Sequence, residues 1–515
     1  METERRLMAV FAKIRKKIKG MIRKLNGNTT IIEALGVSPS TSNDMRKAIQ
    51  LWTSMYENHP NWLRKPDNDN PIEVVSLGLS ASIASEKAKM ATLEMVSEIT
   101  SETDMDRAEF LNENYQRGVI DEIRKQAEYA IAKGGLAITP YPVYTVDDDG
   151  NEKLHHFAFD YTHADKFIPI SFDASGKIVD AAFLIRKETT KYVYYRLERQ
   201  TYENGTVLIT NRAFKKDIIS ADAFKEVDIY ETVLGDEIPL AEVSEWANLE
   251  KEHEIAGVDR ILSAYLKMPQ ANTVDTDSQL GVSGYSRAVD LIKQADEQHA
   301  RLTYEFQANL ARIDADQECF MDADGSLRNG IKSIPVIFRL RDAQDTTAYN
   351  VYAPNMRTDA YINGLDELLT RIEDTCALSR GTLSRATEQA RTATELKILR
   401  QRTYSENADI QQAIQKVLED VVYIIDVYYT LCTGNIPKEK EHYQVSFEWD
   451  DSIIVDRETE LQQRLTLQHD GLAGRIENRM WYFGETEEQA IKAIRQIDEE
   501  NRKIAGDRLD GIEEF

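Results

Sequence analysis

The sequence predicts an α+β chain of several domains, in which long helices flank β-rich inserts. Three observations predict it. Between residues 283 and 433 apolar side chains recur at three- and four-residue spacing on either side of a turn-rich insert, the period of a helix with one buried face. Between Gly134 and about Phe224 the period drops to two, the signature of strands. After Thr392 a helical pattern runs to about Leu431 before Gly434 stops it, roughly 60 Å of helix and too long for an ordinary globular core.

In chain order, residues 1–26 form a basic amphipathic helix: Phe11, Ile14, Ile18, Ile22 and Leu25 oppose Lys13, Arg15, Lys16, Lys17, Lys19, Arg23 and Lys24. Such an arm either docks on an acidic partner, DNA or a membrane surface, or packs on its own acidic body. From Asp44 to Ile131 the pattern is helical. Trp52 and Trp62 flank a His59-Pro60 break, Ile83, Met90 and Leu93 share one face, and Ile120, Ile123, Ala127 and Ile131 share another. Gly134-Gly135 ends the last of these helices. Turns are then signalled at Asp148-Asp149-Gly150, Ala174-Ser175-Gly176 and Asn204-Gly205, with Tyr192, Tyr194, Val207 and Ile209 in strands. His155 and His156 point to opposite faces of a strand, so even with His163 nearby they read as surface or structural histidines. Asp147 to Asp149 lack calcium-loop spacing and read as a turn.

A helix over residues 283–313 places Tyr285, Val289, Ile292, Phe306, Leu310 and Ile313 on one face, broken by Asp296, His299 and Thr303, which suggests packing around something wet. The insert 314–357 carries Asp324-Gly325 and Asn329-Gly330 turns around a strand at 334–341, where Val336, Phe338 and Leu340 alternate with Ile337, Arg339 and Arg341. The return helix, 358–378, has Ile362, Leu365, Leu369, Ile372 and Cys376 on one side. Asp359, Asn363, Asp366, Glu367, Thr370, Arg371, Glu373 and Asp374 lie on the other, facing water. A loop at 379–391 sets Arg380, Arg385 and Arg391 among Ser379, Thr382, Ser384 and Thr387. Thr392 and Glu395 then have capping-box spacing. Past residue 434 come a strand from Tyr443 to Trp449, an Asp450-Asp451-Ser452 motif, and helices, one capped by Thr486 and Gln489. The charged tail after Glu499, with Gly506 and Gly511, reads as frayed.

Length and charge bound the function. A chain of 515 residues has room for two to four domains, and a net charge of -25 argues against gripping nucleic acid through an overall field. Cys319, Cys376 and Cys432 lie far apart with no metal or disulfide spacing, which fits a reducing cytosol. No stretch approaches the roughly 20 apolar residues of a membrane span, and the N-terminus lacks a secretory cleavage pattern. There is no phosphate-binding G-x-x-x-x-G-K-[ST] loop, no H-E-x-x-H, no C-x-x-C pair and no G-x-S-x-G elbow. With 88 acidic residues, carboxylate pairs occur by chance and argue no hydrolase.

Several stretches together carry a resemblance. They are AIQLW and MYENHPNW within residues 48–62, AIAKGGLAITPYP at 130–142, FIPISFDASGKIVDAAF at 167–183 and MPQANTVDTDSQLGVSGYSRAVDLIKQAD at 268–296, followed by PNMRTDAY, LSRGTLS, RTATE and WDDSIIVD. In their order and spacing the chain resembles the portal proteins of tailed double-stranded DNA bacteriophages, the siphophage type of Gram-positive hosts. The resemblance implies a dodecameric ring built from a wing (27–282), a first stem helix (283–313), a clip (314–357), a second stem helix (358–378), a tunnel loop (379–391), a long channel helix (392–433) and a wing return with a crown (434–515). It implies that DNA passes the acidic face of 358–378 and the loop residues Arg380, Thr382, Ser384, Arg385, Thr387 and Arg391. It further implies that Lys332, Arg339 and Arg341 of the clip meet the terminase large subunit or head-completion adaptors. The other partners implied are scaffolding and major capsid proteins, at a capsid vertex of a virion assembled in host cytoplasm. No catalytic residue, metal, cofactor or membrane is expected. The loop arginines alternatively pair with Glu388, Glu395 or a neighbouring subunit. Two other readings remain at this point: a membrane-associated scaffold resting on the basic helix, and a metal-dependent nuclease.

Overall fold

The computed structural model describes residues 29–67, 70–93, 95–146, 150, 152–218, 229–308, 312–316, 338–341, 349–352, 355–385, 393–437, 442–449 and 457–510. The basic arm at 1–26, Lys332, Thr387 and Arg391, and the Thr392 cap, lie outside them. The chain divides into two units, at the boundary between Phe447 and Glu448.

The first unit opens with a short strand β1 (Thr29–Thr30) and helix α1 (Ile31–Leu35), where Thr30 and Glu33 form a reciprocal capping box. Helices α2 (Asn43–Tyr56) and α3 (Leu79–Thr92) follow. Then come strand β2 (Val96–Thr100), α4 (Met105–Tyr115), a π turn at Gln116–Ile120, and α5 (Ile123–Lys133). The helices of 44–131 were expected; β2 among them was not. Helix α3 buries Ile83, Ala84, Ala88 and Ala91 against α5, which contributes Ala127, Ala130 and Ile131. Small side chains on both helices let the two axes approach closely. Gly134 ends α5 at φ 92°, and a Cβ there would stand 2.8 Å from the Gly281 carbonyl oxygen, so a side chain fits neither the backbone nor the space.

Two sheets follow. Strands β3 (Gly135–Val146) and β4 (Glu152–His163) form a hairpin of one three-stranded sheet. Strands β5 (Phe167–Phe172), β6 (Ile178–Glu188), β7 (Tyr192–Glu203), β8 (Thr206–Asp217), β9 (Val233–Ile238) and β10 (Glu252–Ala256), with β1, build a seven-stranded antiparallel sheet in the order β1-β9-β8-β7-β6-β5, where β10 also pairs with β8. Strand β11 (Ala264–Lys267) returns to pair with β3. Two of the expected turns hold, while Asp148 and Asp149 of the third lie outside the described residues. Asn204 and Gly205 both take positive φ between β7 and β8, and the Asp173 carboxylate accepts from Ser175 and Lys177 in the β5-β6 turn. Ile31 and Leu35 of α1 pack on Ile168, Ala182, Leu184, Leu197, Phe214 and Leu234, closing one face of the large sheet.

Helix α6 (Val289–Ala308) is preceded by a single 3-10 turn and ends sooner than the sequence suggested. Ile313 lies instead in strand β12 (Arg312–Asp316), in register with Phe338 of strand β13 (Phe338–Arg341) and Val351 of strand β14 (Tyr349–Tyr352). A β-branched residue between aromatic and β-branched neighbours favours the sheet over another helical turn. Phe306 is exposed and not part of a buried stripe. Asp296 is not in a wet seam either. It is 1% exposed, and its carboxylate accepts from Trp62 Nε1 and Leu77 N, both at 2.9 Å. Burial raises its pKa, while these two donors act in the opposite direction.

Helix α7 (Thr358–Thr375) packs along α6, and helix α8 (Ala393–Thr433) then runs as one piece of 41 residues. Its second half is buried on more than one face, through Ile410, Ile414, Val417, Leu418, Val421, Val422, Ile424 and Ile425, against α3, α4, β3, β4 and β11. Arg107 of α4 is 1% exposed and fastens this end: it donates to Asp426 Oδ1 (2.6 Å), the Asp426 carbonyl (3.0 Å), Thr430 Oγ1 (2.5 Å) and the Asn435 carbonyl (2.9 Å). His442 Nε2 lies 3.0 Å from the same carboxylate. Strand β15 (Gln444–Glu448) joins β2 in a two-stranded sheet.

The second unit contains α9 (Arg457–His469), α10 (Arg475–Phe483) and α11 (Glu487–Asp510). Gln489 Oε1 accepts from Thr486 N at 3.0 Å, half of the expected capping box. The helix continues past Glu499 to Asp510, so the tail is not frayed there; Arg502, Lys503, Ala505 and Leu509 are good helix formers that carry it across Gly506.

Candidate functional site

The residues singled out by sequence converge on α7 and the chain that leaves it. Asp359, Asn363, Glu367 and Arg371 step along α7 by four and are all exposed, so they form one slowly drifting stripe. Asp366, Thr370 and Asp374 form a second, half-buried stripe beside it. Arg371 Nε donates to Glu367 Oε1 at 2.9 Å, and Thr370 Oγ1 to the Asp366 carbonyl at 2.9 Å. On the other side only Ile372 and Cys376 are buried, with Ile362, Leu365 and Leu369 half-buried.

Beyond Thr375 the chain turns back on the helix. Ala377 and Gly381 take positive φ, 54° and 91°, and the Leu378 N–H closes on the Glu373 carbonyl at 2.9 Å. This fold-back buries Glu373 completely. Its Oε1 accepts from Leu383 N at 2.5 Å and Ser384 N at 2.8 Å; its Oε2 accepts from Ser384 Oγ at 2.7 Å and Gly381 N at 3.3 Å. Glu373 therefore departs from the expected water-facing row, because the loop it precedes folds over it. Asp366 Oδ1 takes the next donor, Arg385 N, at 2.8 Å.

Arg380 is exposed but engaged. Its Nε and Nη2 grip Asp374 at 3.1 and 2.8 Å, a bidentate pair that raises the guanidinium pKa. The partner is thus in the preceding helix, and Glu388 and Glu395 lie outside the residues whose side chains are described. Thr382 Oγ1 donates to the Ser379 carbonyl at 2.6 Å, and Ser379 Oγ lies 3.2 Å from Thr403 Oγ1 of α8. The structure brings Asp366, Glu373, Asp374, Arg380, Thr382, Ser384 and Arg385 together; Asp359 and Asn363 stand toward the other end of α7. Arg339 and Arg341 sit on β13, two residues apart and so on one face, in register with Asp314 and Asp316 of the parallel β12.

Beneath the loop is a group that the sequence reading missed. Lys87 of α3 is 1% exposed and its Nζ is 2.8 Å from Glu406 Oε1 of α8, which also accepts from Gln270 Nε2. Burial alone would raise the Glu406 pKa, but the charge and hydrogen bond of Lys87 outweigh it and the net shift is down. Burial pushes the neighbouring Cys376 thiol up to about 11. The available signal was a lysine on the alanine face of α3, where a charge needs a partner.

A family model described as phage portal protein, SPP1 Gp6-like, matches residues 37–507. The chain belongs to that family. The match runs from before α2 into α11 and includes α7, its loop and α8, so the α+β fold and the role of a phage portal protein extend over nearly the whole chain. Portal proteins are structural, non-enzymatic components of the virion. No curated protein matches the chain. No helix among the described residues is long and apolar enough to cross a membrane.

Proposed function

We propose that this portal protein is one wedge of a dodecameric ring at a single capsid vertex, a passive conduit through which the terminase motor drives duplex DNA inward and from which the genome later leaves. The segments divide as wing (27–282), stem helices (283–313 and 358–378), clip (314–357), tunnel loop (379–391), channel helix (392–433) and wing return with crown (434–515). The observation that carries this reading is the state of the cations along α7 and its loop: Arg371 and Arg380 are each held by a carboxylate, at 2.9 and 2.8 Å. Duplex DNA carries about one charge per 1.7 Å of axis, and a wall of free cations would release many counterions and hold the duplex fast. A wall with acids in excess lets it slide.

Exposed Arg385, with Arg391, then touches phosphates at one narrow level. The clip, with Lys332, Arg339 and Arg341, meets the terminase large subunit and afterwards the head-completion adaptors. Scaffolding and major capsid proteins meet the ring during assembly in the host cytoplasm, and the ring performs no chemistry and holds no cofactor. Replacing Arg385 and Arg391 with glutamate tests the loop: rings should assemble while packaging slows or stalls. Normal DNA filling would remove the loop from the mechanism.

A further inference from the structure

The loop after α7 contains a complete anion receptor whose occupant belongs to the same chain. Three backbone N–H groups, of Gly381, Leu383 and Ser384, and the Ser384 hydroxyl converge on the two oxygens of Glu373 at 2.5–3.3 Å. Gly381, at φ 91°, supplies the left-handed turn that lets neighbouring N–H groups point into one concavity. Successive N–H groups arranged this way form the backbone nests that hold phosphates elsewhere. Here two donors serve each oxygen, and the carboxylate is fully buried.

We propose that Glu373 is a resident anion: it fills the donor nest of residues 381–384 and thereby withholds those donors from the phosphates of DNA passing the loop. The consequence for DNA rests on the channel reading given above; the nest itself does not. An occupant tethered 8 to 11 residues away along the same chain has a large effective concentration and outcompetes a phosphate in transit. Arg380 is withheld in the same manner by Asp374. Helix α7 thus disarms both the backbone donors and one cation of its own loop. Repeated around a ring, open nests would act together as a multivalent phosphate trap.

The test uses full-length protein carrying Glu373→Ala, read by amide hydrogen exchange at residues 381–384 and by duplex binding at fixed ionic strength. The expected result is lost amide protection that inorganic phosphate restores saturably and chloride does not, with duplex affinity raised about tenfold, as for a gained charge-assisted contact. Protection that phosphate fails to restore, or unchanged duplex affinity, overturns the proposal. If the alanine variant does not fold, Glu373→Gln keeps the volume and removes acceptor capacity: faster exchange with a phosphate response supports the proposal, and wild-type protection contradicts it. Failure to form annular particles would sink the channel reading, whereas the exchange and phosphate measurements need no ring, so the two failures are told apart.

Discussion

Arg357, just before α7, closes on Glu305, near the end of α6, across the base of the insert between these two helices: its Nη2 lies 3.1 Å from Oε2, and its own N–H 3.4 Å from Oε1. The carboxylate is 9% exposed and the guanidinium largely so, an arrangement in which one chain end is pinned to the other before the insert departs. Glu305→Ala should raise the rate of limited proteolysis between residues 308 and 357 while ring formation persists. An unchanged digestion pattern would show that the pair does not hold the base of the insert.

The Arg107–Asp426 pair lies in the interior, so removing one partner strands the other. Asp426→Ala leaves the guanidinium with only carbonyl and hydroxyl acceptors and should cost about 3–5 kcal/mol in denaturant unfolding. A loss below about 1 kcal/mol, the range of exposed pairs, would mean that water reaches the site.

His163 lies beside Tyr129, Lys133, Asp165 and Lys166. Burial, reinforced by the lysines and opposed by Asp165, holds its pKa well below the usual 6.5. Between the lowered folded value and about 6.5 the unfolded chain binds more protons at this position, so its contribution to stability is complete above that window and is lost as pH falls through it. His163→Gln should flatten the slope of unfolding free energy between pH about 6.5 and about 5. A slope equal to wild type would place the titration elsewhere.

The two described cysteines should label in different classes. At pH about 8 a thiol raised to about 11 is ionised to about one part in a thousand, and Cys376 is also 1% exposed. Cys432 is half-buried, with Tyr144 Oη 3.0 Å from its sulfur. Alkylation of folded protein should therefore modify Cys432 well before Cys376; equal rates would show that the seam beneath the loop opens.

Asp374→Asn releases Arg380 from an ionic partner. Rings of this variant should bind duplex DNA more tightly at low salt and show a steeper salt dependence. Wild-type affinity and slope would mean that Arg380 does not face the duplex.

Local signals were legible in the sequence and distant partners were not. Asn204-Gly205, Ala174-Ser175-Gly176 and the Gly134 stop are set within a few residues, so their chemistry shows directly. The long helix was likewise legible because nothing interrupts its pattern before Gly434. Asp296 looked wet because its donors, Trp62 and Leu77, are more than two hundred residues away, and β2 was invisible because its partner strand β15 lies near the end of the first unit. Helical period alone places Glu373 on the exposed face. The period places a side chain on a face of the helix, but not the chain that folds over that face afterwards.

The most direct measurement is the mass of purified full-length protein together with its end-on electron micrographs. A conduit built from wedges predicts annular particles with a central opening and a mass near that of a dodecamer. Compact monomers at every concentration and salt, with no annular particles, would contradict it.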